Sequence, residues 1–167
     1  MNILFTEEQI QTRVKEMASQ ISKDYEGKEL ILICVLKAAF IFASDLIRNI
    51  TIPCTIDFVK CSSYGNNTTS SKEVLLKMDC EDHIAGKHVL IVDTIVDSGY
   101  TLNFLHNHLL IRKPHSLGIV VLVNKAEKRE KWTPVTYKGF DSPDLFLTGY
   151  GTDASQQQRG LPYICYM

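Results

Sequence analysis

Several things are scarce in this chain, and each absence removes a class of protein. Cysteine is rare and poorly spaced: Cys34, Cys54, Cys61, Cys80 and Cys165 are five, an odd number, and none stands in a C-x-x-C arrangement. Neither a disulfide framework nor a zinc site is expected from that pattern. An excess of one charge is also lacking. Eighteen Lys and Arg oppose 19 Asp and Glu for a formal net charge of -1, without the basic stripe of a dedicated nucleic-acid binder. No apolar run approaches bilayer length, and Met1 to Glu8 carries no basic stretch ahead of an apolar one. The expectation is a chain that is neither exported nor anchored and works with reduced thiols in the cytoplasm. Two nucleotide motifs are missing as well, G-x-x-x-x-G-K-[ST] and G-x-G-x-x-G, so any phosphate cradle is of another kind. Repeats and low-complexity tracts are absent, and 167 residues suit a single domain, 1–167, that buries roughly 70% of its extended-chain surface. His106 and His108 stand two apart, point to different faces of a helix, and read as surface histidines rather than a ligand pair.

What is present is an alternation of strand and helix signals. Thr6-Glu7-Glu8-Gln9 forms a capping box, with Phe5 and Ile10 placed for a hydrophobic staple and Ile10, Val14, Met17 and Ile21 on one helical face. That helix ends at Tyr25-Glu26-Gly27. Leu30 to Leu36 reads as a buried strand, followed by a helix with Phe40, Ala43, Leu46, Ile47 and Ile50 as its stripe. Thr55 to Cys61, Glu73 to Met78, Val89 to Asp93 and Leu117 to Val123 read as further strands, and Thr101 to Leu110 as a helix before Pro114. Ser62 to Ser71 has no apolar period and reads as a polar loop or flap. This order implies βαβ units in an α/β fold, a twisted and mainly parallel sheet flanked by helices. Val135 to Phe140 and Asp144 to Thr148 are expected as short strands of a small hood, formed mainly from about residue 132 onward, over the strand ends where open α/β sheets bind ligands.

The most informative stretch is Val89 to Leu102. An apolar strand runs into Asp93 and then into a small, hydroxyl-rich turn. Ser98 and Thr101 offer hydroxyls, Gly99 permits a backbone closed to other residues, and the next helix would aim its unpaired N–H groups and dipole at an anion. Asp97 is repelled by such an anion and therefore needs a purpose, a proton to take or a metal to hold. The plainer alternative is an ordinary strand-to-helix turn with Asp97 as its N-cap.

This stretch resembles the phosphoribosyl-diphosphate signature of the phosphoribosyltransferases: two acidic positions, two apolar ones, then Asp, Thr or Ser, Gly, any residue, Thr. The version with Asp97 is similar to the 6-oxopurine branch, the hypoxanthine-guanine phosphoribosyltransferases. The likeness covers almost the whole chain, with Leu36-Lys37-Ala38, Ser62-Ser63-Tyr64-Gly65, Lys125, Phe146-Leu147, Gly149-Tyr150-Gly151-Thr152-Asp153 and Arg159 in the expected order. It implies transfer of a 5-phosphoribosyl group from phosphoribosyl diphosphate to hypoxanthine or guanine, giving IMP or GMP and pyrophosphate, with Mg2+ required. Alternatives within the same fold are a xanthine-preferring enzyme and a phosphoribosyl-diphosphate-sensing nucleic-acid regulator. No nucleic-acid or membrane partner is expected, and the family's habits imply a homodimer or homotetramer.

Roles follow from the resemblance position by position. Asp97, Ser98, Gly99, Tyr100 and Thr101 would grip the 5′-phosphate, with Asp97 facing N7 of the purine as base. Asp93 and Thr94 would reach the ribose, and Asp93 and Asp153 would hold magnesium. Lys125 would donate to the 6-oxo group, Phe146 would stack on the base and the Leu147 backbone would read its edge. Lys37, through a cis peptide at Leu36-Lys37, and Ala38 would lie at the pyrophosphate with Arg159, and Ser63 and Tyr64 would close over the site to exclude water. Plainer readings stand beside these: a solvated lysine at a helix start for Lys37, a basic run with Lys128, Arg129 and Lys131 for Lys125, strand core for Phe146 and Leu147, a turn for Asp153. Two positions depart from the family pattern. Ala38 replaces Gly, and Thr94 replaces the second acid, from which we expect a looser hold on the ribose and its magnesium, improved by Thr94→Asp.

Overall fold

The first helix starts as its leading residues dictate. In the computed structural model, which describes residues 1–63 and 73–167, the Thr6 hydroxyl accepts from the Gln9 N–H at 3.2 Å and the Gln9 side chain accepts from the Thr6 N–H at 2.9 Å. Helix α1 (Glu7–Asp24) buries Ile10, Val14, Met17, Ala18 and Ile21. A strand not anticipated from the sequence, β1 (Asn2–Phe5), precedes it.

The sheet explains why its strands read as unbroken apolar runs. Strand β2 (Leu30–Leu36), β3 (Cys54–Ser63), β4 (Val74–Met78), β5 (His88–Val96), β6 (Ser116–Asn124) and β7 (Tyr137–Asp141) form one six-stranded sheet in the order β4-β3-β2-β5-β6-β7. All neighbours are parallel except β3 and β4. Both faces are covered, so each parity of a strand meets its own core. Leu30, Leu32, Cys34, Leu90, Val92, Val120 and Leu122 pack with α1 and α2 (Phe40–Asn49). Ile31, Ile33, Val35, Val89, Ile91, Ile119 and Val121 pack with α3 (Tyr100–Leu110). Each such side chain taken fully out of water contributes about 1.5–3 kcal/mol before entropy is charged against it.

Four expectations need correcting. The stripe of α2 is Phe42, Ala43 and Leu46, while Phe40 is exposed; the segment is apolar almost all round, so periodicity could not fix its phase. The strand near Val135 to Phe140 is not part of a hood but the edge strand β7, parallel to β6 with Val120 opposite Tyr137. The second sheet is instead β1-β9-β8, combining Asn2–Phe5 with β8 (Leu147–Thr148) and β9 (Ile164–Tyr166). Its Leu147 and Ile164, with Tyr150 just after β8, join the same core as α1 and α2. His106 is buried in α3 rather than on the surface, with its ring edge-on to Trp132, and His108 pairs with Asp79 at 2.8 Å. Ser62 and Ser63 extend β3, whereas Tyr64 and the remainder of the expected flap lie outside the described residues.

From β2 the chain crosses to β3 on one side, and from β5 to β6 on the other. The gap between the C-terminal ends of β2 and β5 is therefore the switch point at which open α/β sheets bind ligands. The Lys37 loop and the Asp97 loop flank it.

Candidate active site

The turn after β5 is held open toward solvent and fixed from behind. Gly99 is the N-cap of α3 with φ 92°, and no side chain caps the helix. This removes Asp97 as the N-cap and leaves the first amides of α3 facing a cavity of about 100 Å³ lined by Asp93 and Ile95 to Leu102. The N–H groups at a helix start, together with its positive dipole end, are a ready anion site. Ser98 O accepts from the backbone of Glu130 at 2.9 Å and of Lys131 at 3.0 Å, and Arg129 Nε donates to Asp97 O at 3.1 Å. A Cβ at position 99 would fall 2.4 Å from Thr133 Oγ1 and 2.7 Å from Lys131 O. Glycine is required here by the close approach as much as by the positive φ.

Asp97 and Lys125 meet at the mouth of this cavity. Lys125 follows β6, its backbone N–H bonds to Val96 O at 3.0 Å, and its Nζ stands 3.5 Å from Asp97 Oδ2. The Lys125 side chain is 6% exposed and the Asp97 side chain 52% exposed, so the cation is fixed inside while the acid faces solvent. A lysine so deeply placed is not part of a solvated basic run. Asn124, beside it, accepts from Arg129 Nη2 and donates to Asp141 Oδ1 at 3.1 Å. Arg129 thus ties the Asp97 loop to the end of β6.

A second cluster forms at the other side of the switch point. The Leu36-Lys37 peptide is cis, and Lys37 Nζ donates to Gln156 Oε1 at 3.2 Å. The same oxygen accepts from Arg159 Nη2 at 3.1 Å. Arg159 also reaches Gly151 O at 2.7 Å and Asp153 Oδ1 at 3.3 Å, while Asp153 Oδ2 accepts from the Gln156 N–H at 2.7 Å. Two cations converge on one neutral oxygen. Gln156 was not singled out from the sequence; the polar run Ser155-Gln156-Gln157-Gln158 between Asp153 and Arg159 was the signal available, and three of its members take positive φ.

Asp93 lies within β5, three residues before its end, with its carboxyl accepting from the Thr94 N–H at 2.8 Å. Burial pushes its pKa up to about 7, opposed by that hydrogen bond. The Thr94 side chain is elsewhere: it is fully buried and donates to Ala38 O at 3.0 Å, so the expectation that it reaches the ribose is not met. Phe146 exposes 56% of its surface, as a stacking platform must, and Leu147 is buried in β8. Among the described residues no three His, Cys, Asp or Glu side chains converge as a ready metal cage.

Fold, switch point and anion cradle together define a nucleotide- or sugar-phosphate-handling α/β protein. The chain belongs to the phosphoribosyltransferase family: the phosphoribosyl transferase domain matches residues 2–155. It is 45% identical to a hypoxanthine-guanine phosphoribosyltransferase of Dictyostelium discoideum over 97% of this chain and 92% of that one. It is 40% identical to a hypoxanthine phosphoribosyltransferase of Haemophilus influenzae over 98% and 93%. A crystal structure of a hypoxanthine-guanine phosphoribosyltransferase from Bacillus anthracis superposes with a TM-score of 0.95 at 45% identity, covering 100% of this chain and 98% of that one.

Proposed function

We propose that this protein is a purine salvage enzyme that moves the 5-phosphoribosyl group of phosphoribosyl diphosphate onto hypoxanthine or guanine, releasing pyrophosphate and giving IMP or GMP. The observation that carries the reading is the pairing of an open helix-start cavity with the Asp97 carboxylate and the buried Lys125 ammonium at its rim. The amides and hydroxyls of Ser98 to Thr101 hold the 5′-phosphate. Asp97 takes the proton that the purine loses as the C1′–N bond forms. Lys125 can only donate, so it favours a 6-oxo group over the 6-amino group of adenine. Phe146 stacks on the base, the Leu147 backbone reads its edge, and Lys37 and Arg159 neutralise the departing diphosphate.

Magnesium fits the acids available. Asp93 and Asp153 each offer one carboxylate, and among the described residues no closed cage of ligating side chains surrounds them, the arrangement of an ion held by one or two carboxylates plus substrate oxygens. When bound it would offset charge on the diphosphate. Five free thiols suit the reducing cytoplasm proposed for it, and no helix among the described residues is long and apolar enough to cross a membrane. Ser63 and Tyr64 complete the reading as closing residues, and a homodimer or homotetramer as its assembly. A pyrophosphate-release assay with hypoxanthine, guanine, xanthine, adenine and uracil, with and without Mg2+, tests it: turnover of the first two only, lost on chelation, is expected. No release with any base would overturn it.

A further inference from the structure

Thr94 belongs to the buried row of its strand. Period two places it on the same face as Leu90 and Val92, and its exposure is zero. There its hydroxyl donates to the carbonyl of Ala38 at 3.0 Å, across the gap between β5 and the loop that follows β2. That loop is held by two backbone hydrogen bonds of its own, Ala39 N–H to Val35 O at 3.1 Å and Phe40 N–H to Lys37 O at 3.2 Å, but the N-cap of α2, Ala39, makes no side-chain hydrogen bond. The same carbonyl is approached from its other side by Gly151, where a Cβ would lie 2.2 Å from Ala38 O. Gly151 in turn accepts from Arg159 Nη1 at 2.7 Å. Lys37, beside Ala38, and Arg159, bonded to the Gly151 carbonyl, therefore stand on the two sides of this close contact, with the Ala38 carbonyl held by the Thr94 hydroxyl.

We infer that Thr94 is a positioning residue for the diphosphate end of the site: it touches no substrate and sets where Lys37 stands by holding the Ala38 carbonyl. Its neighbour Asp93 on the same strand faces the opposite way, so one strand end serves sugar and diphosphate through two adjacent residues of opposite parity. The inference rests on the proposed reaction, and it reverses the expectation that an acid at position 94 would strengthen binding. A carboxylate there would face a carbonyl oxygen.

The test compares Thr94→Val, which keeps shape and loses the donor, with Thr94→Ser, which keeps the donor. Four constants are read: KM for phosphoribosyl diphosphate, Kd for magnesium pyrophosphate, KM for hypoxanthine and Kd for IMP. Thr94→Val should weaken the first two by roughly fivefold or more, as expected for leaving a buried carbonyl unpaired, with the last two within about twofold and Thr94→Ser restoring the wild-type values. Thr94→Ala is read in the same way and stands in if valine impairs folding. Unchanged constants in the valine variant, or IMP weakened as much as pyrophosphate, would overturn the inference. An inactive wild-type protein that binds no pyrophosphate would instead count against the proposed reaction.

Discussion

The pocket at the head of α3 and the cationic cluster around Gln156 are built from different materials. The first uses backbone: helix amides, a glycine at φ 92°, and carbonyls pinned by Arg129, Glu130 and Lys131. The second uses long side chains from two distant places in the chain, Lys37 and the neighbours Gln156 and Arg159, meeting on one oxygen. Backbone donors are fixed before a ligand arrives and lose little freedom on binding it, whereas Lys and Arg lose up to about 2 kcal/mol of rotamer freedom each. The contrast suits a site that keeps one phosphate throughout the reaction and must let a diphosphate go.

The strongest way to break this contrast is at Asp97, the acid that the backbone pocket presents. Asp97→Ala should lower kcat by about 10²–10⁴, the usual worth of a general base, while the IMP Kd measured by calorimetry changes little; a matching loss of IMP affinity would make Asp97 a binding residue instead. Next come the paired glycines. Gly99→Ala forces a side chain into the Thr133 and Lys131 contacts and should cost about 100-fold in kcat/KM through a misplaced loop, with IMP binding lost as well. Gly151→Ala strikes Ala38 O and should weaken pyrophosphate while sparing IMP. Equal effects of the two on both ligands would dissolve the distinction between the ends.

Lys125→Met should raise KM for hypoxanthine by about tenfold to a hundredfold, the range for a hydrogen bond to a charged group, and narrow the preference over adenine. Gln156→Ala removes an exposed bridge and should shift the pyrophosphate Kd by no more than about threefold, since exposed polar contacts contribute little. The smallest effect is one of pH. The raised pKa of Asp93 means that the ligand-free fold favours the protonated acid, so its contribution is in place below the ordinary carboxylate range and is lost as pH rises through about 7. Asp93→Asn abolishes that loss: its melting temperature should gain on the wild type by a few degrees more at about pH 8.5 than at about pH 5. Parallel curves would show that the carboxyl is not strained by burial.

The same contrast governs what could be read from the amino acids. The pocket is contiguous, and Val89 to Leu102 announces strand, turn and helix in one stretch. Its glycine and hydroxyls carry local signals that survive in three dimensions. The cluster has no such address: Lys37 and Gln156 are 119 residues apart, and only the fold brings them together. β7 was assigned to the wrong sheet because a short strand interrupted by Lys138 and Gly139 says nothing of its neighbour, and β1 was missed because four residues before a capping box carry too little pattern. Thr94 was misplaced although the information was present. Counting by two from Leu90 and Val92 puts it inward, whereas a family signature speaks to residue type and not to parity.

Arg13 has a wider consequence. From α1 its guanidinium donates to the carbonyls of Lys138 and Gly139 on the outermost strand β7, each at 2.8 Å. An edge strand is where a foreign chain could pair and lengthen the sheet. Engaged by a charged group drawn from the molecule's own helix, this stretch of the border offers a neighbouring chain fewer open acceptors, a guard supplied by a side chain far from any chemistry.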